Sequence, residues 1–365
     1  MIATHPISHV ETPRPAHRRG SKRRRAKTLE AVIAAWLATL VGAQAIAQAS
    51  PPAVPANTAM ATQDRTAMHL NIDHQLADIL THPAFAGHAR LLLPWDDRAY
   101  DEQLPLRRIA SLLPYHSHVE PQQVVQGLNR LIDDVATGQT VFYRFYGDAQ
   151  LQADPSKQNT GLFFVRGNPG APFAIIAPGG GFSYVGSVHE GFPYAADISR
   201  RGYNVFVLRY CPGHGETTAT QDLAAALSFI FANADQLGVG TRVYSAWGSS
   251  AGARMVARIG SHGLTRCGGA QGLPKPGVVV MAYTGHAEVT AAEPPTFVVV
   301  GEQDGIAPPA VMERRVAALR AQGTEVVFRR FPGVGHGFGV GTGTRAQGWV
   351  DDAVNFWEAV IQRPR

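Results

Sequence analysis

The chain contains one serine at a predicted strand-to-helix turn. The apolar run at residues 243–246 predicts a buried strand, and the residues from Ala251 onward predict a helix. Between them stands the pattern Gly248-x-Ser250-x-Gly252, which occurs once in the sequence. This pattern is typical of a nucleophile elbow, in which a strained turn exposes the serine and small neighbours let strand and helix pass closely. Ser250 is therefore the candidate nucleophile.

A serine hydroxyl becomes a nucleophile when a base takes its proton and a third group orients that base. The β-branched run at residues 296–300 predicts a strand, and Asp304 lies in the loop that follows it. We favour Asp304 over Glu302 because its shorter side chain lies further into that loop. His336 lies in a glycine-rich loop after the next predicted strand. The order Ser, Asp, His predicts a triad of Ser250, Asp304 and His336.

A glycine-rich loop supplies candidate donors for a developing oxyanion. The run at residues 173–177 predicts a strand, and Pro178 and three glycines follow it. Glycines let backbone amides approach a substrate oxygen closely, so we expect the N–H groups of Gly180 and Gly181 to act with that of Ala251. The sequence has no G-x-x-x-x-G-K-[ST] pattern, so a phosphate-binding loop is not indicated.

These motifs resemble those of the α/β-hydrolase superfamily, and among its members the small acetyl-esterase and hormone-sensitive-lipase-like carboxylesterases. Residues 178–181 are similar to their H-G-G-G oxyanion loop, and residues 248–253 are similar to their G-D-S-A-G-G elbow. Three positions differ from those patterns: Pro178 replaces the histidine, Ser249 replaces the aspartate and Ala253 replaces the last glycine.

The resemblance implies an α/β-hydrolase catalytic domain over residues 140–365, with carboxylic ester hydrolase activity and no metal or organic cofactor. The connection between the predicted strands 277–281 and 296–300 is too short for the large lid that many members carry there. This favours short, acetyl-type esters of a small-molecule or polysaccharide-linked alcohol. Two alternatives stay open: a serine peptidase of the prolyl-oligopeptidase-like group, and a non-catalytic binding protein that retains the fold.

The apolar runs predict eight strands in a mostly parallel sheet with helices on both faces, the first two strands being antiparallel. The predicted strands are residues 141–146, 161–165, 173–177, 203–209, 243–247, 277–281, 296–300 and 325–331. Helical spacing is clearest at residues 220–235, 309–322 and 348–362.

Residues 67–139 predict an N-terminal helical extension, with helical spacing at residues 69–81 and 121–134. We expect it to pack on the catalytic body, and its relation to the mouth of the site stays open. His116 and His118 are spaced like metal ligands but lack a third ligand, so they are expected to be structural or solvated.

Cys211 follows a predicted strand, whereas Cys267 lies beyond the helix that follows Ser250. These positions place the two thiols at opposite edges of a parallel sheet, farther apart than a disulfide allows. We therefore expect both to be unpaired.

The N-terminus predicts export. Residues 1–30 contain eight Lys or Arg and two acids, a net charge of +6, against +5 for the whole chain. The rest is thus nearly neutral, and nucleic-acid binding is not indicated. The apolar run at residues 31–41 is too short to span a bilayer, and A-x-A sites follow at Ala45 and Ala49. This order predicts a signal peptide over residues 1–49, cleaved near either alanine.

The mature protein is therefore expected to be secreted or periplasmic, with no membrane span after cleavage. Arg24-Arg25 leaves Tat export open beside Sec export, and an uncleaved anchor is a further alternative. Residues 50–66 are rich in Pro, Ala and Thr and predict a disordered linker. The sequence does not indicate an oligomeric state.

Overall fold

The computed structural model describes residues 68–364, so the predicted signal peptide and the linker lie outside the described residues. The described chain contains the predicted eight-stranded sheet. Its strands are β1 (Phe142–Tyr143), β2 (Gly161–Val165), β3 (Pro172–Ala177), β4 (Asn204–Arg209), β5 (Gly240–Ser249), β6 (Val278–Ala282), β7 (Thr296–Gly301) and β8 (Val326–Phe331).

The strand order across the sheet is β1-β2-β4-β3-β5-β6-β7-β8. β2 runs antiparallel to both β1 and β4, and every pairing from β4 to β8 is parallel. The loops after β3, β5, β7 and β8 therefore meet at one edge of the sheet, where ligands of open α/β sheets bind. The glycine loop and the three predicted triad residues lie in those loops.

Helices cover both faces of the sheet, and β3 shows this directly. Ala174 and Ile176 pack into one apolar core, and Ile175 and Ala177 pack into the other. The α-helices are α1 (Leu76–Leu80), α2 (Ala89–Leu92), α3 (Pro121–Ala136), α4 (Asp148–Ala153), α5 (Phe192–Arg200), α6 (Gly215–Ala232), α7 (Ala234–Leu237), α8 (Ala251–His262), α9 (Pro309–Ala321) and α10 (Trp349–Ile361).

The region before β1 is less helical than its spacing predicts. The predicted helix at residues 69–81 is wrong over most of its length, because only α1 forms there. The Asn71 side chain accepts the Asp73 amide at 2.9 Å, and Gln75 forms a β-bridge with Pro105. Such local side-chain bonds compete with helical ones and keep the chain in a turn.

The second predicted helix of this region forms as α3 and buries an apolar face. Val124, Leu128 and Leu131 belong to the same core as Phe192 of α5. A Cβ at Gly127 would lie 2.7 Å from the Phe192 Cβ, so the backbones of α3 and α5 approach each other closely at this point. The region before β1 thus shares its core with the sheet and with the helices on one of its faces.

Cys211 and Cys267 are both free and buried. Within residues 68–364, no helix is long and apolar enough to cross a membrane.

Candidate active site

The turn at Ser250 has the strained geometry expected of an elbow. Ser250 has φ +49° and ψ −113°, and α8 begins at the next residue. A Cβ at Gly252 would lie 1.8 Å from the Ala177 carbonyl oxygen, and one at Gly248 would lie 2.4 Å from the Gly252 carbonyl oxygen. Both flanking positions therefore require glycine, because β3, β5 and α8 meet there without room for side chains.

His336 faces the serine from the loop after β8. Its Nε2 lies 2.9 Å from Ser250 Oγ, and its Nδ1 lies 2.7 Å from Asp304 Oδ2. A carboxylate only accepts hydrogen bonds, so Nδ1–H donates to Asp304 and Nε2 is left to accept the serine proton. The Tyr283 ring and the imidazole pack edge to face, with ring centroids 5.2 Å apart.

Asp304 is held by the backbone that follows it. Its Oδ1 accepts the amides of Ile306 at 2.9 Å and Ala307 at 2.7 Å, which leaves Oδ2 for His336. The carboxylate is buried, whereas Glu302 is exposed and forms an ion pair with Arg330. The structure therefore brings Ser250, Asp304 and His336 together and leaves Glu302 outside.

The glycine loop after β3 carries the two predicted oxyanion donors, the amides of Gly180 and Gly181. The Gly179 carbonyl accepts the Gly186 amide at 2.9 Å, and the Gly180 carbonyl accepts the Ser183 amide at 3.0 Å. In a trans peptide the N–H lies opposite the carbonyl. The N–H groups of Gly180 and Gly181 therefore point away from these internal partners. A Cβ at neighbouring Gly179 would lie 3.0 Å from the Ser250 Cβ, so the loop borders the serine.

Ala251 is the first residue of α8, and the first amides of a helix have no intrahelical acceptor. Among the described residues, none accepts a hydrogen bond from the amides of Gly180, Gly181 or Ala251. The three predicted oxyanion donors are thus available to a ligand. The catalytic roles of these residues and of the triad stay predictions.

A buried carboxylate that the sequence analysis missed lies beneath the glycine loop. Glu190, in the π-helical turn Ser187–Gly191, has a fully buried side chain. Its Oε2 accepts the Gly179 amide at 2.5 Å, and its Oε1 lies 3.1 Å from His116 Nε2. An acid within the apolar residues that follow a glycine loop is the sequence signal that could have identified it.

A chain of hydroxyl groups also ends at Glu190. Tyr283 donates to Glu190 Oε1 at 2.7 Å, and the Tyr194 hydroxyl lies 3.0 Å from that of Tyr283 and 3.1 Å from Ser249 Oγ. Burial and the nearby Glu190 charge raise the pKa of Tyr194 and Tyr283, so both stay protonated. Since the Tyr283 proton is donated to Glu190, the Tyr194 hydroxyl donates to the Tyr283 oxygen.

The partners of Glu190 overcome the effect of its burial. Burial favours the protonated acid, but the pKa of Glu190 is lowered to about 2 by His116, by His189 and by the Tyr283 hydroxyl. Burial, reinforced by His116, lowers the pKa of His189 to about 4. The acid is thus charged, and His189 is neutral, near neutral pH.

His116 and His118 behave differently. The His116 side chain is buried against Glu190, and His118 is exposed. Within residues 68–364, no group of three His, Cys, Asp or Glu side chains is placed to bind one ion.

Parts of this chain are similar in sequence to known proteins. A model described as the prolyl oligopeptidase family matches residues 275–363. An acetylxylan esterase of Xylanibacter ruminicola is 22% identical over 233 residues, 55% of this chain and 48% of that protein. The chain therefore matches about half the length of this curated relative.

Two solved structures are similar. An acetyl ester-xyloside bifunctional hydrolase from Caldicellulosiruptor lactoaceticus is 18% identical, with a TM-score of 0.53 over 60% of this chain and 96% of that chain. MGS-M1, an α/β hydrolase from a Medee basin deep-sea metagenome library, is 22% identical, with a TM-score of 0.48 over 56% of this chain and 93% of that chain.

The strand order, the antiparallel β2 and the elbow between β5 and α8 agree with the fold implied by the sequence motifs. The bifunctional hydrolase shares this fold over nearly its whole length. The chain therefore has the α/β-hydrolase fold.

Proposed function

We propose that this protein is a serine hydrolase that cleaves carboxylic esters. The proposal rests above all on one observation, the hydrogen-bonded line from Asp304 Oδ2 to His336 at 2.7 Å and from His336 to Ser250 Oγ at 2.9 Å. A hydroxyl, an imidazole and a buried carboxylate in this order form the arrangement that activates a serine.

In the acylation step, Ser250 Oγ attacks the ester carbonyl while His336 Nε2 takes the hydroxyl proton. The carbonyl oxygen becomes an oxyanion that accepts hydrogen bonds from the amides of Gly180, Gly181 and Ala251. His336, now charged and stabilised by Asp304, gives its proton to the departing alcohol. The products of this step are the free alcohol and an acyl group on Ser250.

In the deacylation step, a water molecule takes the place of the alcohol. His336 removes a proton from the water, which attacks the acyl carbonyl, and the same amides stabilise the second oxyanion. His336 then returns the proton to Ser250 Oγ. The carboxylic acid leaves, and every proton is accounted for without a metal or organic cofactor.

The substrate we propose is a short, acetyl-type ester of a small molecule or a polysaccharide. Residues 283–295 between β6 and β7 contain no helix, so no helical lid lies at that connection. The similarity to an acetylxylan esterase supports the same substrate class. The basic and apolar N-terminus supports export, with residues 1–49 as the signal peptide.

A panel of p-nitrophenyl esters from acetate to decanoate tests the reaction and the acyl preference together. We expect the largest kcat/KM on acetate or propionate and a steady fall as the chain lengthens. Faster turnover of decanoate than of acetate would contradict the short-acyl proposal. Release of acetate from acetylated xylan, measured beside release from an acetylated monosaccharide, tests whether a polymer is accepted.

A peptidase is the second candidate, because the prolyl oligopeptidase family matches residues 275–363. That segment contains Asp304 and His336 but not Ser250 or the glycine loop. Hydrolysis of a proline-containing p-nitroanilide without hydrolysis of p-nitrophenyl acetate would favour the peptidase. Esterase turnover without amide cleavage would exclude it.

A further inference from the structure

A short piece of the N-terminal extension, residues 115–117, touches two loops of the site; we call it the bridging segment. Its Tyr115 ring borders the oxyanion loop, since a Cβ at Gly181 would lie 3.1 Å from Tyr115 Cε2. Its backbone crosses the loop of His336, since a Cβ at Gly337 would lie 2.7 Å from His116 Cα.

The first link runs from the bridging segment to the oxyanion loop. The Tyr115 amide donates to the Tyr184 hydroxyl at 3.2 Å, which lies 2.8 Å from His116 Nδ1. His116 Nε2 donates to Glu190 Oε1 at 3.1 Å, since a carboxylate only accepts. Glu190 Oε2 accepts the Gly179 amide at 2.5 Å. Both ring nitrogens of His116 are thus occupied.

The second link runs from the bridging segment to the histidine loop. Ser117 Oγ donates to the His336 carbonyl at 2.6 Å, and the Ser117 amide donates to the Gly337 carbonyl at 3.0 Å. The Gly337 carbonyl also lies 2.9 Å from His189 Nε2. Asp304 therefore binds the His336 imidazole, and Ser117 of the extension binds the His336 backbone carbonyl.

We propose that the bridging segment positions the active site, fixing the oxyanion loop through His116 and Glu190 and the loop of His336 through Ser117. This inference rests on the proposed function. His116, Ser117 and Glu190 do not contact the reacting atoms, so they are positioning residues. In this proposal the extension holds two loops of the active site in position in addition to packing against the core.

The effect follows from preorganisation. Gly179 donates to Glu190 and its carbonyl accepts from Gly186, so both peptide planes flanking this residue are fixed. The plane after Gly179 includes the Gly180 amide, one of the proposed oxyanion donors. Oxyanion donors act only where they already point at the developing charge, and a misplacement of about 1 Å can cost about a hundredfold in rate.

His116→Phe tests the first link, because the ring is kept while both hydrogen bonds are lost. We expect kcat on p-nitrophenyl acetate to fall by about tenfold or more, with KM changed by less than about twofold. His116→Gln retains a donor toward Glu190 and should recover part of kcat. His118→Asn, an exposed histidine in the same stretch, is the matched control and should behave as wild type.

Ser117→Ala tests the second link with the smallest change of packing, and Tyr184→Phe replaces His116→Phe should that variant not fold. Thermal melts identify the folded variants. A kcat loss of about fivefold or more in a folded first-link variant and in Ser117→Ala supports the proposal. A smaller loss in both would overturn it.

Hydrogen exchange separates this inference from the esterase proposal. We expect the backbone amides of residues 178–186 to exchange faster in His116→Phe than in wild type or His118→Asn, whether or not the ester is cleaved. Unchanged exchange in these amides would overturn the positioning role. An inactive wild type with faster exchange in the variant would refute the esterase proposal alone.

Discussion

Two buried carboxylate–imidazole pairs lie near Ser250, and they differ in the partner of the second ring nitrogen. In the Asp304–His336 pair the remaining nitrogen faces a half-buried hydroxyl, Ser250 Oγ, at 2.9 Å. In the Glu190–His116 pair the remaining nitrogen faces the Tyr184 hydroxyl at 2.8 Å, inside the protein. The same two groups can therefore act on a substrate in one place and hold neighbouring loops in position in the other.

The surroundings of the two acids explain the difference. Asp304 accepts two backbone amides from its own loop and has one oxygen left for its histidine. Glu190 accepts from Gly179, Tyr283 and His116, which belong to three separate parts of the chain. An acid whose other partners are local has one oxygen left to orient an imidazole, whereas one with several distant partners joins parts of the fold.

Ser250→Ala should have the largest effect, because it removes the nucleophile from the first pair. We expect kcat/KM on p-nitrophenyl acetate to fall by about 10⁴-fold or more with no loss of thermal stability. Ser249→Ala is the matched control, since its hydroxyl contacts Tyr194 instead of His336 and its loss should cost far less. Equal losses in the two variants would show that the wrong serine has been assigned.

Asp304→Asn should come next, because an amide in place of Oδ2 no longer fixes the histidine tautomer. The expected loss of kcat is about 10³-fold or more. Glu302→Gln changes an exposed acid two residues earlier and should leave kcat within about twofold of wild type. An Asp304→Asn variant that retains most of the wild-type kcat would contradict the role of Asp304 in orienting His336.

Glu190→Gln should reduce stability in addition to any effect on kcat, since the second pair joins parts of the fold. The buried carboxylate accepts three hydrogen bonds, and the amide cannot replace all of them. We expect the free energy of unfolding to fall by about 2–4 kcal/mol, measured by urea denaturation. An unchanged urea midpoint would show that the pair is dispensable for the fold.

Acidification should reduce the stability of the fold first through His189, which lies beside the Glu190–His116 pair. The pKa of His189 is lowered from 6.5 to about 4, so unfolded chains bind its proton between those values while folded chains do not. Stability should thus decline as the pH falls from 6.5 to 4, by on the order of 3 kcal/mol. The lowered pKa of Glu190 adds a further loss from pH 4.5 toward 2.

Thermal melts of His189→Gln across this range test that slope. The variant should lose less stability than wild type between pH 6.5 and 4, because it has no imidazole to protonate. His118→Asn should keep the wild-type slope, since the replaced ring is exposed. The same dependence of thermal stability on pH in all three proteins would show that His189 does not cause the loss of stability in acid.

The sheet and the first pair were predictable because their signals are local. Continuous apolar runs predicted all eight strands, with ends within three residues of those observed. The glycines around Ser250 reflect contacts of the turn with its own strand and helix, so they are visible in one short pattern. Acids and histidines that follow strands could be assigned to the same sheet edge from chain order alone.

The second pair was not predictable, because His116 and Glu190 have no spacing that reveals their contact. His116 lies in a stretch with little regular structure, and Glu190 lies in a single π-helical turn. The false helix at residues 69–81 has a similar cause. Its apolar spacing is helical, but the Asn71 turn and the Gln75 bridge fix the chain locally.

Labelling by a fluorophosphonate probe tests the central claim most directly, because the probe phosphonylates an activated serine far faster than an ordinary hydroxyl. The account predicts one equivalent of label on the wild-type protein, mapped to Ser250 by peptide mass spectrometry, and none on Ser250→Ala. Absence of label from the folded wild type, or its attachment to another residue, would contradict the proposed nucleophile.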